Sequence, residues 1–192
     1  MNSEQITLGK SSFDLIDQEK LFSALVLKED VQFLDVACGS GAYSLAAAQF
    51  IHQKGRITAV DPWKKGIDWL KKEALSKGIE NIDAYVSDVS RQIPVEDESI
   101  DVCLLATVLH DLIRDKTDHG TMTEIRRVLK DQGRLALVEF KKIEGPPGPR
   151  IDVRLSPQEA EIYLLPFSFH IAATKDVGPF NYLSVYTYSR NR

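Results

Sequence analysis

Val31 to Phe50 reads VQFLDVACGSGAYSLAAAQF. Phe33-Leu34-Asp35-Val36-Ala37 has the makeup of a short buried strand, and Gly39 and Gly41 then flank Ser40. Ala42, Leu45, Ala46 and Phe50 recur at the spacing of one helix face. Glycine lacks a Cβ, so such a turn can lie against a bound molecule and take up dihedrals that other residues avoid. The N–H groups that open the helix point at whatever sits over the turn. Strand, glycine turn and helix in succession therefore suit ligand binding. The plainer alternative is a βα turn that needs glycine for its geometry alone.

Downstream, strands and helices alternate. Arg56 to Asp61 forms a second strand, with Pro62 suited to the first turn of the next helix. A carboxylate at the carboxyl end of that strand, beside the glycine turn, is placed to accept hydrogen bonds from a ribose diol. Its alternative role is a helix cap. Ile67, Leu70 and Ala74 give the inner face of a helix that stops near Gly78, and Asn81 to Val86 alternates as a third strand. The nearly continuous apolar run Ile100 to Ala106 suits a strand buried on both faces of a parallel sheet. Met122, Ile125 and Leu129 mark a further helix, and Leu135 to Phe140 a fifth strand. Before the first strand, Phe13, Ile16 and Leu21 give a helix ending near Leu27, and residues 1–10 are polar and loose. Glu144 to Arg150 is a loop rich in proline and glycine, a substrate lid or a connector. Ser156-Pro157-Gln158-Glu159 is a capped helix start, and two β-rich runs between Phe167 and Tyr188 form a terminal hairpin.

The motifs, in this order, resemble those of class I S-adenosylmethionine-dependent methyltransferases, most closely the ubiquinone/menaquinone-biosynthesis type. In that family an acidic residue precedes a small residue and a glycine pair, here Asp35, Ala37, Gly39 and Gly41, with Ala37 in place of the usual first glycine. The resemblance makes Asp61 the ligand of both ribose hydroxyls and Asp88 the acceptor for the adenine amino group, with Val89 against the ring. A solvated turn remains the alternative for Asp88. Ala37, Ser40, Pro62, Trp63 and Ala106 complete the implied cofactor surface. At the corner before the fifth strand, Asp131 and Gln132 replace the family's usual Pro and Gly. The fold implied is a Rossmann-like three-layer α/β sandwich with seven strands in order 3-2-1-4-5-7-6, mostly parallel with an antiparallel terminal strand. The 192 residues make one domain: a helical cover over 1–30, a cofactor-binding core over 31–140, then a loop, helix and hairpin over 141–192.

The implied activity is methyl transfer from S-adenosylmethionine to a small-molecule acceptor. Two rivals stay open: a nicotinamide-dependent oxidoreductase, disfavoured because Gly39 to Ser44 lacks the third glycine of the dinucleotide fingerprint, and a non-catalytic binding module. Ala106-Thr107-Val108-Leu109 does not resemble the tetrapeptide of base N-methyltransferases, and a formal net charge of −4 argues against a surface built to neutralise nucleic acid. Cys38, Cys103 and the four scattered histidines have no metal-ligand spacing, and two cysteines make no disulfide framework. With neither a signal peptide nor a long apolar span, a cytoplasmic setting without a membrane span is expected. The oligomeric state leaves no mark in the motifs. His110 and Tyr43 are the candidate bases by position, each with packing or hydrogen bonding as its alternative role.

Overall fold

The computed structural model describes residues 12–51 and 53–190, so the loose segment expected over 1–10 lies outside the described residues. One sheet runs β3-β2-β1-β4-β5-β7-β6. Its strands are β1 (Gln32–Val36), β2 (Arg56–Asp61), β3 (Ile82–Val86), β4 (Ile100–Ala106), β5 (Leu129–Phe140), β6 (Phe169–Asp176) and β7 (Asn181–Tyr188). β1 to β5 pair in parallel, and β7 runs antiparallel to both β5 and β6. This is the expected strand order.

Alternation along the central strands builds the two packed faces. Leu34, Val36, Cys103, Leu105, Leu135 and Leu137 face the helices α5 (Asp118–Val128) and α6 (Pro157–Leu164). Phe33, Val102, Leu104, Ala136 and Val138 face α1 (Gln18–Leu25) and α2 (Ala42–Phe50). On that same side Ile67 and Leu70 of α3 (Lys64–Ser76) cover Ala59 and Ala84. A short helix, α4 (Leu109–Arg114), follows β4.

Three local differences from the sequence pattern have physical causes. The first helix divides into a 3₁₀ turn, Phe13–Leu15, and α1, because Asp17 accepts the Lys20 N–H at 3.0 Å and caps a new start. Pro62 stands before α3 rather than in its first turn, because the Asp61 carboxylate accepts the Trp63 N–H at 2.7 Å and turns the chain across Pro62. β5 begins at Leu129, where Leu129 pairs with Ile100, and an irregularity then shifts the register to Arg134 opposite Val102. Gln132 in that irregularity has φ +62°, the conformation that the glycine of the resembled corner supplies.

The loop expected over Glu144 to Arg150 is fastened from within. The buried Arg154 side chain donates to the carbonyls of Pro149, Lys141, Ile143, Gly145 and Pro147 at 2.8–3.0 Å, and its guanidinium lies 5.6 Å from the centre of the Phe140 ring. Beyond it, Ser156 and Glu159 form the reciprocal capping box of α6.

Candidate active site

Strand order reverses between β1 and β4, so the crevice at their carboxyl ends is where an open α/β sheet takes a ligand. The glycine turn fills this position. Ala37, Gly39 and Gly41 have φ of +56°, +58° and +76°, and the Gly41 N–H closes the turn on the Cys38 carbonyl at 2.8 Å. A Cβ at Gly41 would strike Leu70 of α3, and one at Gly66 would strike the Gly39 carbonyl, so α3 packs directly on the turn. A Cβ at Gly39, by contrast, would meet nothing within 4 Å, so the turn is open on that side.

Asp61 lies against the turn. Its carboxylate accepts the Gly39 N–H at 2.8 Å as well as the Trp63 N–H, so this side chain ties the glycine turn to the entry of α3, whose N-cap is Trp63 and not Asp61. Asp35 points from β1 to α2 and accepts the Ser44 hydroxyl at 2.6 Å. Burial pushes its pKa up to about 7; the Ser44 hydrogen bond opposes the rise and the Asp61 charge adds to it. Asp88 makes its bonds within its own exposed turn, accepting the Ser90 N–H at 3.0 Å and the Ser90 hydroxyl at 2.6 Å with Arg91 at 3.3 Å. The Ser90 hydrogen bonds hold its carboxyl below the usual range, and Val89 beside it is buried.

A second cluster forms at the ends of β4 and β5. Ala106 ends β4, and Thr107 follows at φ +53°, an unusual conformation for a β-branched residue. The Ser12 hydroxyl lies 2.8 Å from both the Thr107 hydroxyl and the Tyr43 phenol, so three hydroxyls join the segment before α1 to the first turn of α2 and the end of β4. Burial pushes the Tyr43 phenol well above its ordinary pKa, which keeps it protonated. His110 is buried in α4, with Nδ1 at 2.8 and 3.1 Å from the two carboxylate oxygens of Glu139 on β5. Glu139 and Ser12 are the residues of this cluster that the sequence did not single out. A lone acid inside the apolar run Leu135 to Phe140 was the available signal for Glu139.

Residues 34–137 match the family model described as a methyltransferase domain. The chain belongs to this family of class I S-adenosylmethionine-dependent methyltransferases. Among relatives, it is 30% identical over 152 residues to the ubiquinone/menaquinone biosynthesis C-methyltransferase UbiE of Paraburkholderia xenovorans, covering 79% of this chain and 57% of that one. It is 24% identical over 129 residues to the demethylmenaquinone methyltransferase of Lactobacillus johnsonii, covering 67% and 52%. The chain spans about half the length of the curated relatives it matches. A solved S-adenosylmethionine-dependent methyltransferase from Aquifex aeolicus superposes with a TM-score of 0.84 at 25% identity, covering 96% of this chain and 97% of that one.

Membership in the methyltransferase family sets the nicotinamide alternative aside and makes S-adenosylmethionine the implied cofactor. The open side of Gly39 fits it, since a ligand can lie against the backbone there with the Asp61 carboxylate alongside. The glycine turn and the cluster of Tyr43, Thr107, Ser12, His110 and Glu139 thus both lie at the carboxyl ends of β1, β4 and β5.

Proposed function

We propose that this chain transfers a methyl group from S-adenosylmethionine to a small-molecule acceptor. The observation that carries this is the Asp61 carboxylate seated on the Gly39 amide, beside the face of the turn that a Cβ would leave open. S-adenosylmethionine supplies a methyl group already activated on a sulfonium. The chain's own residues then bind, align and keep water out. Asp61 takes the ribose hydroxyls, and Asp88 and Val89 take the adenine, with Pro62, Trp63 and Ala106 completing the surface around Ala37, Ser40 and Gly41. Asp35 supports the turn through Ser44 rather than from the open side. Tyr43, kept protonated, serves as a hydrogen-bonding wall.

The relatives named as quinone-biosynthesis C-methyltransferases make a quinol-type ring the first acceptor to try. The chain acts as one domain in the three parts read from its sequence. A cytoplasmic setting without nucleic acid as partner fits the net charge and the absence, among the described residues, of a helix long and apolar enough to cross a membrane.

Calorimetry with S-adenosylhomocysteine tests the cofactor assignment. Binding, with a rise in melting temperature by mass action, is expected. Absence of heat would overturn the proposal. Binding without turnover toward any acceptor would leave only the binding-module alternative.

A further inference from the structure

Glu139 has no exposed surface, yet it is an acid. Among the described residues, its carboxylate partners come from two neighbouring segments. Besides the His110 ring, Oε1 accepts the His110 backbone N–H and Oε2 accepts the Phe140 backbone N–H, each at 3.3 Å. Nδ1 of His110 is thereby committed to the carboxylate, so the neutral ring carries its proton on Nδ1 and its lone pair on Nε2. Nε2 faces away from Glu139. It lies 3.6 Å from Asp111 Oδ2, beyond hydrogen-bond reach, and Asp111 is partly open to solvent. One nitrogen of this buried ring is thus held by Glu139, and the other, on the Asp111 side, has no partner within hydrogen-bond reach among the described residues. The chain beside the pair is tied to the hydroxyl cluster at the end of β4: the Thr107 N–H bonds the Val138 carbonyl at 2.7 Å, and Thr107 joins Ser12 and Tyr43.

We propose that Glu139 is the positioning residue that holds His110 with Nε2 toward the acceptor, that His110 takes the acceptor's proton, and that the acceptor therefore belongs to the class that loses a proton on methylation, an enol, a phenol or an acidic carbon. This rests on the methyl-transfer reading above. The acceptor's O–H or C–H proton goes to Nε2. The electron pair it leaves drives the nucleophilic atom onto the methyl carbon, and the methyl–sulfur bond breaks with its pair left on sulfur. The imidazolium formed is flanked by Glu139 and gives its proton to water, so one proton is released per methyl group transferred. A thioether or tertiary amine would need none of this.

The charges around the ring set its pH response. Burial alone would lower the His110 pKa. The hydrogen bond and charge of Glu139 from β5, helped by Asp111 and opposed by Arg114 on α4, outweigh burial and raise it above the ordinary value. Tyr43 and Tyr182 are the other titratable groups near Glu139. The competing role is a plain anchor, in which the pair only fastens α4 to β5.

The test uses the full chain with His110→Gln, Glu139→Gln and Glu139→Asp. The acceptor probes are 1,4-naphthalenediol, catechol and a 1,3-diketone, with a methyl thioether and a tertiary amine as acceptors that need no base. Formation of S-adenosylhomocysteine is followed from about pH 5 to about pH 9. At least one proton-bearing probe is methylated by the native chain, with an acid limb above the ordinary histidine pKa. His110→Gln loses about a hundredfold or more together with that limb. Glu139→Gln loses about tenfold or more, and its limb moves to lower pH because the neighbouring charge is gone. Imidazole nitrogen resonances, assigned by their loss in His110→Gln, give a readout without turnover: His110 is an Nδ1–H tautomer whose pKa falls in Glu139→Gln. All variants bind S-adenosylhomocysteine within about threefold of the native chain. If Glu139→Gln does not fold, Glu139→Asp and His110→Gln decide. Less than tenfold loss in His110→Gln with the limb in place overturns the proposal, as does turnover of the thioether or amine alone, or of no probe by a chain that binds S-adenosylhomocysteine. Failure of the native chain to bind S-adenosylhomocysteine would reject the methyl-transfer reading itself.

Discussion

The backbone N–H of Gly39 donates to the carboxylate of Asp61 at 2.8 Å, across 22 positions of sequence. With Trp63 on its other oxygen, that one side chain joins the glycine turn, the end of β2 and the entry to α3. Asp61→Ala should therefore do two things. It removes the acceptor for the ribose diol, weakening S-adenosylhomocysteine binding by about 1.5–3 kcal/mol. It also leaves two amides without their partner and destabilises the unliganded chain by about 1–3 kcal/mol. Calorimetry and urea unfolding separate the two. Lost stability with unchanged affinity would make Asp61 a structural tie between the turn and α3 and nothing more.

Two positions where the family pattern has glycine, Ala37 and Gln132, hold other residues here at φ of +56° and +62°. An L-residue in that region costs about 1–2 kcal/mol, whereas glycine enters it freely and gives back about 0.4–1 kcal/mol through the entropy of the unfolded chain. Gln132 is exposed, so Gln132→Gly should raise stability by about 0.5–1 kcal/mol. The Ala37 methyl packs against the core, so the gain from Ala37→Gly should be smaller. Urea midpoints read both, and a lowered midpoint for Gln132→Gly would refute the strain assignment.

The sheet was legible because its information is local. β2 and β4 fall on the bounds that composition and periodicity give, Arg56–Asp61 and Ile100–Ala106, and the strand order follows once the motifs are recognised in sequence. Asp61 was legible for the same reason, as an acid at a strand end beside a glycine turn. Glu139, Ser12 and Arg154 were not. Glu139 meets a ring 29 positions away, Ser12 a hydroxyl 95 positions away, and Arg154 a ring of loop carbonyls, and none of these meetings leaves a periodic trace. The break between the 3₁₀ turn and α1 was hidden too, since apolar spacing continues through it while the turn ends at Ile16 and Asp17 caps the next helix.

Asp35 gives a pH signature. Its folded pKa of about 7 lies above the unfolded value, so the folded chain holds this proton more tightly. The associated stability is fully present below the unfolded pKa of 3.8 and is lost as pH rises through about 7. Asp35→Asn cannot ionise, yet it can still accept the Ser44 hydroxyl. Its stability relative to the native chain should therefore rise between about pH 4 and pH 8, by at most about 2–4 kcal/mol, and level off above that range. Paired unfolding curves across this range provide the check. A difference that does not change with pH would show that Asp35 ionises normally in the folded chain.

Arg154 uses all the donors a guanidinium has. Its N–H groups meet five carbonyls between Lys141 and Pro149, and its plane lies near the Phe140 ring. A lysine has three donors on a flexible stem and no planar face, so Arg154→Lys must leave at least two of those carbonyls without a partner. The expected loss is about 2–4 kcal/mol, or roughly 5–10 °C in melting temperature for a chain of this size. The loss should be local in origin. Proteolysis within Glu144 to Arg150 should accelerate in the variant well below its melting temperature, because the loop's own bonds, not the sheet's, have been cut. Digestion with proteinase K, whose specificity is broad, followed by mass spectrometry reads this directly. Cleavage in that segment at the native rate, with global stability lowered, would mean that Arg154 supports the end of β5 through Phe140 and that the loop holds its shape without it.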